Sequence, residues 1–409
     1  MTRRPEGPAY AQAVWSWAEH LRGGGSTPWS TWVAAGSGAD ATVPPTWSAP
    51  GAAQLELVRR LAGLAPARGV DPTAFRALAD VVVARSGPGR GLAQQPLSFP
   101  AGGAPGRRFG APPTDPSDVP PAELVRVAVG TLTQLLLEGP AAPAERTELR
   151  RRRFSRSPAF ALAGAPVTTS AVRRALGVAG HAEGGRHPRV VLVAEPLDET
   201  LAQVWSGRVQ RGAPVRWGGF VERWSRRRTL PPSADFVRLA RQWACEVGRE
   251  RVHVVVAPAD PSGTVADLLG VRLGRERHPE LRPRWKNLSP AAVDVARRVN
   301  AVLNVRAAGP RRAEAVRACA SLLAAVDTPA PRLALPERFG EWATARATRL
   351  ADDLRADGYP VHGDLVRVVP RFESLPTAPR HDDVLRVVVD ACLRRAASTS
   401  NAGGRSSGE

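Results

Sequence analysis

Apolar residues follow a helical spacing in the first third of this chain and a different pattern after it. Four stretches before residue 146 carry an apolar stripe of this kind: 10–21, 54–64, 71–84 and 121–138. A stretch rich in proline and glycine, residues 86–121, lies between the third and the fourth. The pattern predicts a mainly helical domain over residues 1–145.

Beyond residue 158, short apolar runs alternate with helical patterns. The runs at 160–163, 187–194 and 251–258 are typical of strands, and the middle one is apolar enough to be buried on both faces. Helical patterns fit between and beside them: 169–178, 197–210 and 236–247. This alternation predicts an α/β fold, a three-layer domain with a mostly parallel sheet over residues 159–396, followed by a disordered tail over 397–409.

The basic residues outnumber the acidic ones, 57 to 38, which gives a formal charge of +19. All but Lys286 are arginines, and a predicted linker over 146–158 concentrates them: Arg150, Arg151, Arg152 and Arg153. Such an excess is one sign of a protein that binds polyanions. The alternative is that the arginine content follows a GC-rich codon usage and that the run is a solvated linker.

Five of the eleven tryptophans lie within the first 47 residues. Exposed tryptophans can stack on bases or sugars, and such a cluster would then be a recognition platform. The alternative is a packing cluster that anchors a segment rich in loops. The sequence leaves both interpretations open.

The sequence predicts a cytoplasmic protein. It has no apolar run of about 18 residues, as a membrane-spanning helix requires, and no apolar stretch follows the basic residues near Met1. Its three cysteines lie far apart, without the spacing of a zinc site or a disulfide framework. We therefore expect neither a metal centre nor a membrane partner.

The segment at 161–176 predicts a strand, a loop of small residues and a helix. The free N–H groups at a helix N-terminus can bind a phosphate. In this loop, Gly164 and the hydroxyl residues Thr168, Thr169 and Ser170 would surround it. Phosphate-binding loops usually add a lysine that reaches the outer phosphate, but the corresponding position is Val167.

From about residue 160 to residue 393 the chain resembles the P-loop sulfotransferase superfamily, in particular a group of bacterial sulfotransferase-like proteins. The resemblance rests on the order and spacing of short elements: the 164–170 loop, Val204-Trp205 with Arg208-Val209, Gly-Arg-Glu-Arg-Val-His-Val-Val-Val at 248–256, Asn287-Leu-Ser-Pro, Arg-Arg-Val-Asn at 297–300 and Gly-Tyr-Pro-Val-His-Gly-Asp-Leu at 358–365. It implies transfer of a sulfuryl group from 3′-phosphoadenosine 5′-phosphosulfate to a hydroxyl or an amine.

The chain departs from the family at each residue that would hold this donor. Val167 stands at the loop lysine, Glu195 at the arginine that binds the 3′-phosphate, and Gln203 at the serine eight residues later. These departures imply a sulfotransferase-like protein that has lost efficient donor binding and acts as a non-catalytic binding or accessory protein. The alternative is an active sulfotransferase with a rearranged loop, in which the donor is held by four side chains: Thr168, Thr169, Ser170 and Lys286.

Two residues are candidates for a general base. Glu195 follows the second predicted strand and would face a cleft at its end, although an ion pair with Arg208 would give it a purely structural role. His362 is a candidate because histidine is a common general base in proteins, although it can equally be a turn residue oriented by Asp364. His253 lies within an apolar strand and is expected to be a core histidine.

Overall fold

A computed structural model of the chain describes residues 8–37, 41–45, 47–84, 95–99, 112–139, 158–273, 288–371 and 375–403. The basic run with Arg150, Arg151, Arg152 and Arg153 lies outside these residues, as does Lys286. Within the described ranges, no helix is both long enough and apolar enough to cross a membrane.

The first described elements are the helices α1 (Pro8–Arg22), α2 (Trp29–Ala34), α3 (Ala52–Leu64), α4 (Pro72–Val83) and α5 (Pro121–Glu138). An alternation of strands and helices follows: β1 (Phe160–Gly164), α6 (Pro166–Val178), β2 (Arg189–Ala194), α7 (Leu197–Gln210), α8 (Trp217–Arg227), α9 (Phe236–Val247), β3 (Val252–Val256) and α10 (Pro261–Leu269). The last elements are α11 (Pro290–Arg306), α12 (Gly309–Val326), α13 (Gly340–Ala356), β4 (Val361–His362) and α14 (His381–Gly403).

The chain divides into two compact units that are not contiguous in sequence. The first is drawn from Met1–Ala142, Asp294–Asp327 and Arg380–Glu409, and the second from Pro143–Val293 and Thr328–Pro379. The domain boundaries predicted from the sequence, 1–145 and 159–396, therefore differ from these units. The difference arises because α12 and α14 pack with α5 instead of with the sheet, and the apolar pattern of a helix does not reveal which partner it will cover.

The first unit is helical throughout its described elements. Helix α5 is its centre and contacts α3, α12 and α14 through a buried apolar face. Helix α14 continues to Gly403, so residues 397–403, which the sequence assigned to a disordered tail, are helical. Proline and glycine are the usual helix breakers, and neither occurs between residue 397 and Ala402.

The N-terminal tryptophans favour the packing interpretation. Trp17 and Trp29 are buried, with their rings 5.1 Å apart. Their indole N–H groups donate to the carbonyl oxygens of Thr27 at 2.9 Å and Ser98 at 2.7 Å. A buried indole whose only donor is bound to the backbone cannot serve as an exposed stacking platform.

The second unit is an α/β fold, as the alternation predicted. The four strands that the structure describes in it are all parallel and lie in the order β1-β2-β3-β4. Helices α6 and α10 cover one face of the sheet, where Leu162, Val191 and Val255 are buried. Helix α9 contacts the sheet as well, and the alternate side chains of β2 and β3, such as Leu192 and Val254, are also buried. The sheet is therefore covered on both faces, as parallel sheets usually are.

Strand β1 lies at an edge of this sheet, and two side chains, one from α6 and one from the loop that follows it, contact its outer backbone groups. The Leu162 N–H donates to the Glu183 carboxylate at 2.8 Å, and Arg173 donates to the Leu162 carbonyl at 3.3 Å. Arg173 and Glu183 also form an ion pair at 3.0 Å. In addition, the Gly184 N–H donates to the Phe160 carbonyl at 2.9 Å.

Candidate functional site

The junction between β1 and α6 is shorter than the sequence predicted. The strand ends at Gly164 and the helix begins at Pro166, so that Ala165 alone connects them. Proline is favoured at the first position of a helix because its φ is already helical and its missing N–H is not needed there. The predicted loop at 164–170 is therefore wrong over most of its length, and the hydroxyl residues expected in it belong to the first turn of α6. A single connecting residue offers no run of loop amides that could surround a phosphate.

Gly164 has a structural role at this junction. Its φ is +109°, and a Cβ built on it would lie 2.0 Å from the carbonyl oxygen of Val193. The next residue, Ala165, donates its N–H to that same oxygen at 2.9 Å. Glycine is thus required because β1 passes so close to β2, and not because a ligand approaches the backbone.

A carboxylate of the protein itself occupies the N-terminal end of α6. The Thr168 hydroxyl donates to Glu195 Oε1, and the Gln203 side-chain amide donates to Glu195 Oε2. The carbonyl of the same Gln203 amide accepts the Val167 N–H at 3.0 Å. Gln203 therefore binds the Val167 N–H and Glu195 binds the Thr168 hydroxyl, two donors that an incoming anion could otherwise use, and a negative charge is favourable at this end of a helix.

Thr169 and Ser170, the other hydroxyl residues that were predicted to hold a phosphate, have different surroundings. Thr169 is buried, and its hydroxyl donates to the Ala163 carbonyl at 3.2 Å. Ser170 is half-buried in the first turn of the helix. The structure thus brings Thr168 together with Glu195, while Thr169 faces back towards β1.

The cations near this junction are engaged elsewhere. Arg208, the partner considered for Glu195, lies over the rings of Phe220 at 5.7 Å and Trp224 at 5.4 Å. Within the described residues, Glu195 forms no salt bridge, and Arg173 is paired with Glu183. The site therefore has a carboxylate at its centre and, in the part of the chain that the structure describes, no guanidinium paired with it.

His362 pairs with His253 and not with Asp364. Nδ1 of His253 and Nε2 of His362 are 3.1 Å apart, and the two half-buried rings are stacked. Asp364 instead accepts the Val366 N–H at 3.0 Å, which begins a 3₁₀ turn. Burial, and then the positive charges of Arg189 and His362, lower the pKa of His253. The pair requires at least one neutral ring, because one contacting nitrogen must accept the hydrogen bond.

A large cavity in the second unit was not expected from the sequence. It has a volume of about 690 Å³, opens beside the first turn of α7, and falls in the size range of small-molecule sites. It is lined by Asp198, Arg332, Ala334, Leu335, Glu337, Gly340, Glu341, Thr344, Ala345, Arg371, Leu375 and Thr377. Asp198 follows Glu195 by three residues, so the cavity lies near the carboxyl end of β2.

Asp198 and Arg332, which both line this cavity, form an ion pair whose carboxylate is buried. Asp198 is 2% exposed, and its Oδ2 accepts from Arg332 Nη1 at 2.6 Å. Arg332 Nε also lies 3.5 Å from Glu199 Oε1. Burial raises the pKa of Asp198, while the charge of Arg332 and the amides of Asp198 and Glu199 oppose that increase.

Several arginines lie close together at the C-terminal end of α7 and along α8. Besides Arg208, the side chain of Arg227 lies over the Trp224 ring at 5.7 Å. Burial is the largest cause of the lowered pKa of Arg208, followed by the charges of Arg223, Arg211 and Arg227. The guanidinium groups are thus close enough to repel one another, which marks this corner as electropositive.

No protein-family model, curated protein or solved structure matches this chain. Within the described residues, no group of three or more His, Cys, Asp or Glu side chains is placed to hold a metal ion. The contacts within the chain itself are therefore the basis for a functional conclusion.

Proposed function

We propose that this chain is a sulfotransferase-like α/β protein that does not bind the phosphosulfate donor and serves as a non-catalytic binding or accessory protein. The observation that carries the proposal is the contact of Glu195 with Thr168 and Gln203 at the N-terminus of α6. The Val167 N–H and the Thr168 hydroxyl at that helix end are already bound, and a carboxylate of the protein lies where a phosphate would approach.

Electrostatics supports the same conclusion. A phosphate oxygen about 4 Å from the Glu195 carboxylate would be repelled by about 1 kcal/mol in water, and by about 4 kcal/mol at the effective dielectric constant near a protein surface. Sulfuryl transfer also needs cations or N–H donors where negative charge develops. The Val167 N–H, which could have been such a donor, is bound to Gln203.

The order of the strands in the sheet also argues against donor binding at the N-terminus of α6. In open α/β sheets, ligands bind where the strand order reverses and leaves a crevice at the carboxyl edge. The four described strands follow chain order from β1 to β4 without a reversal. The β1–α6 junction therefore lies at a sheet edge, away from any such crevice among these strands.

Isothermal titration with 3′-phosphoadenosine 5′-phosphate tests this proposal. We expect no saturable binding at ligand concentrations up to about 1 mM. A micromolar Kd would contradict the proposal and favour the active alternative, in which Thr168, Thr169, Ser170 and Lys286 hold the donor. Under that alternative, Thr169→Ala should also abolish sulfuryl transfer to an acceptor.

Polyanion binding is a second candidate, favoured by the arginine cluster at Arg208, Arg223 and Arg227. Like charges held this close are stabilised when phosphate or sulfate groups bind between them, and each such contact releases counterions. Arg223 and Arg227 are exposed, so their guanidinium groups are accessible to such a ligand. This candidate function does not depend on donor binding at the α6 N-terminus.

The salt dependence of binding to a labelled duplex DNA, measured by fluorescence anisotropy, tests this second candidate. We expect Arg227→Gln to reduce the slope of log Kd against log salt by about 1. Arg226→Gln is the matched control, since Arg226 is one residue away and already paired with Glu222 at 2.5 Å, and it should leave the slope unchanged. Absent or salt-insensitive binding would remove polyanion binding as a function.

A further inference from the structure

A smaller cavity between α9 and α13, within the second unit, carries an excess of positive charge. It has a volume of about 300 Å³, at the lower end of the range of small-molecule sites. Each helix contributes two arginines three positions apart, Arg238 and Arg241 from α9 and Arg346 and Arg349 from α13. Like charges at this spacing on a helix repel each other. An anion that lies among them would offset this repulsion.

Three of the four guanidinium groups have no partner in the part of the chain that the structure describes. Arg241 donates to both carboxylate oxygens of Asp357, at 2.7 Å and 3.2 Å. Within the described residues, by contrast, the side chains of Arg238, Arg346 and Arg349 make neither a salt bridge nor a hydrogen bond. Arg238 and Arg349 are exposed, and Arg346 is half-buried. A ligand that enters from solvent can therefore reach guanidinium groups on both helices.

Two carboxylates also line the cavity, and they reduce its positive charge without reversing it. Asp235 caps α9, where it accepts the Arg238 N–H at 3.1 Å, and Asp353 lines the cavity from α13. Four guanidinium groups and two carboxylates leave a net charge of +2. The net charge is still +1 when Arg241 is counted together with Asp357, which does not line the cavity. The cavity therefore favours an anion over a cation.

The chemistry of the lining favours a phosphate group. A guanidinium presents its N–H donors as a planar fork that matches pairs of phosphate or carboxylate oxygens. A phosphate dianion can accept from several such forks at once, whereas a carboxylate has two oxygens and a single charge. The apolar lining is limited to Val237 and Leu350, which are almost fully buried. Little apolar surface is left for the rest of a ligand, so its anionic group is the part that this cavity would recognise.

We propose that this cavity binds a small molecule through a phosphate group held by Arg238, Arg346 and Arg349. The site is separate from the N-terminus of α6 and from the arginines along α8. It goes beyond the proposed loss of donor binding and does not depend on it. The expected event is binding alone, without any covalent step.

A ³¹P NMR titration of the protein with inorganic phosphate tests the proposal, and acetate is the competing anion. We expect saturable broadening of the phosphate signal with a Kd of about 1 to 5 mM, because the ion alone makes only part of the contacts of a complete ligand. Acetate at equal concentration should displace little of the phosphate. Failure to saturate at phosphate concentrations up to about 20 mM, or equally strong binding of acetate, would overturn the proposal.

Two variants with opposite expected effects make the test specific to this cavity. Arg349→Gln should weaken phosphate binding about fivefold or more through the loss of a charge-assisted hydrogen bond. Asp353→Asn should tighten it about threefold, because a negative charge leaves the wall. Arg355→Gln is the matched control, an exposed arginine on the same helix that pairs with Asp352 at 2.9 Å and does not line the cavity. Equal affinities of the Arg349→Gln and Arg355→Gln proteins, or weaker binding by Asp353→Asn, would refute the proposed site.

Two further measurements separate this site from the other candidate sites of the chain. Arg227→Gln, on α8, should leave phosphate binding unchanged, and loss of binding in that variant would place the phosphate there and refute the proposal. Because 3′-phosphoadenosine 5′-phosphate also carries phosphate groups, its titration is repeated with the Arg349→Gln protein. Weak binding that is lost in this variant would belong to the cavity and support the proposal. Binding that survives would instead contradict the loss of donor binding at α6.

Discussion

Replacement of Arg332 by methionine is expected to lower the free energy of unfolding by about 3 to 5 kcal/mol at neutral pH. The reason is that Asp198 is 2% exposed and pairs with Arg332 at 2.6 Å. Methionine keeps much of the side-chain volume but leaves the carboxylate without its counter-charge. Urea denaturation followed by circular dichroism measures the loss.

The pH dependence of this variant separates lost charge from lost packing. Burial already raises the pKa of Asp198, and Arg332 opposes the increase, so removal of Arg332 should raise that pKa further. A carboxyl group with a raised pKa binds protons more tightly in the folded state, and its cost to stability therefore grows as the pH rises above the unfolded pKa of about 3.9. The destabilisation should be largest near pH 7 and should shrink as the pH falls towards that value.

Two further variants act as controls. The double variant Asp198→Asn, Arg332→Met should recover most of the lost stability, because no buried charge remains. Arg355→Met removes an arginine from the exposed pair with Asp352, and we expect it to cost less than about 1 kcal/mol. A loss in Arg332→Met no larger than that of Arg355→Met, or one independent of pH, would contradict the role assigned to the Asp198–Arg332 pair.

Gly164→Ala is expected to have the second-largest effect, a loss of about 2 to 5 kcal/mol in the free energy of unfolding, because overpacking against a fixed backbone costs about 1 to 3 kcal/mol and a strained φ costs about 1 to 2 kcal/mol. The new Cβ would lie 2.0 Å from the Val193 carbonyl oxygen, and Gly164 has a φ of +109°. The measurement is again equilibrium unfolding in urea.

Gly180→Ala is the matched control. Gly180 has a φ of +87°, but a Cβ there would contact nothing within 4 Å, so only the backbone strain of about 1 to 2 kcal/mol applies. The difference between the two variants isolates the close approach of β1 to β2. Equal losses in the two proteins would show that Gly164 is needed only for its backbone conformation.

The sheet could be predicted because its strands have a strong local pattern. Residues 189–194 and 252–256 are almost continuously apolar, as strands buried on both faces must be. Strand β4 could not be predicted in this way, because it has two residues and no apolar run. The predicted start of α6 was also wrong. Resemblance to a phosphate-binding loop suggested an open loop, while the preference of Pro166 for the first helical position decided the outcome.

The sequence predicted individual residues of the candidate site but not the contacts between them. Glu195 was expected at a strand end, but the sequence could not show that Gln203 would bind both Glu195 and the Val167 N–H. The pairing of Asp198 with Arg332 joins residues 134 positions apart. Residues this far apart in the sequence meet only when the chain folds, so no local sequence pattern predicts the contact. The same reason explains why the sequence did not connect His253 with His362, 109 positions away.

The contacts along the outer edge of β1 have a consequence for the behaviour of the protein at high concentration. Unpaired N–H and C=O groups on an edge strand are a template on which another chain can add a strand, and this is a common route to aggregation. In this chain, both backbone groups of Leu162 are already bound, one to Glu183 and the other to Arg173. The ion pair between these two side chains also places charge at the edge. The same contacts that complete the fold therefore discourage this edge from recruiting a strand of a second molecule.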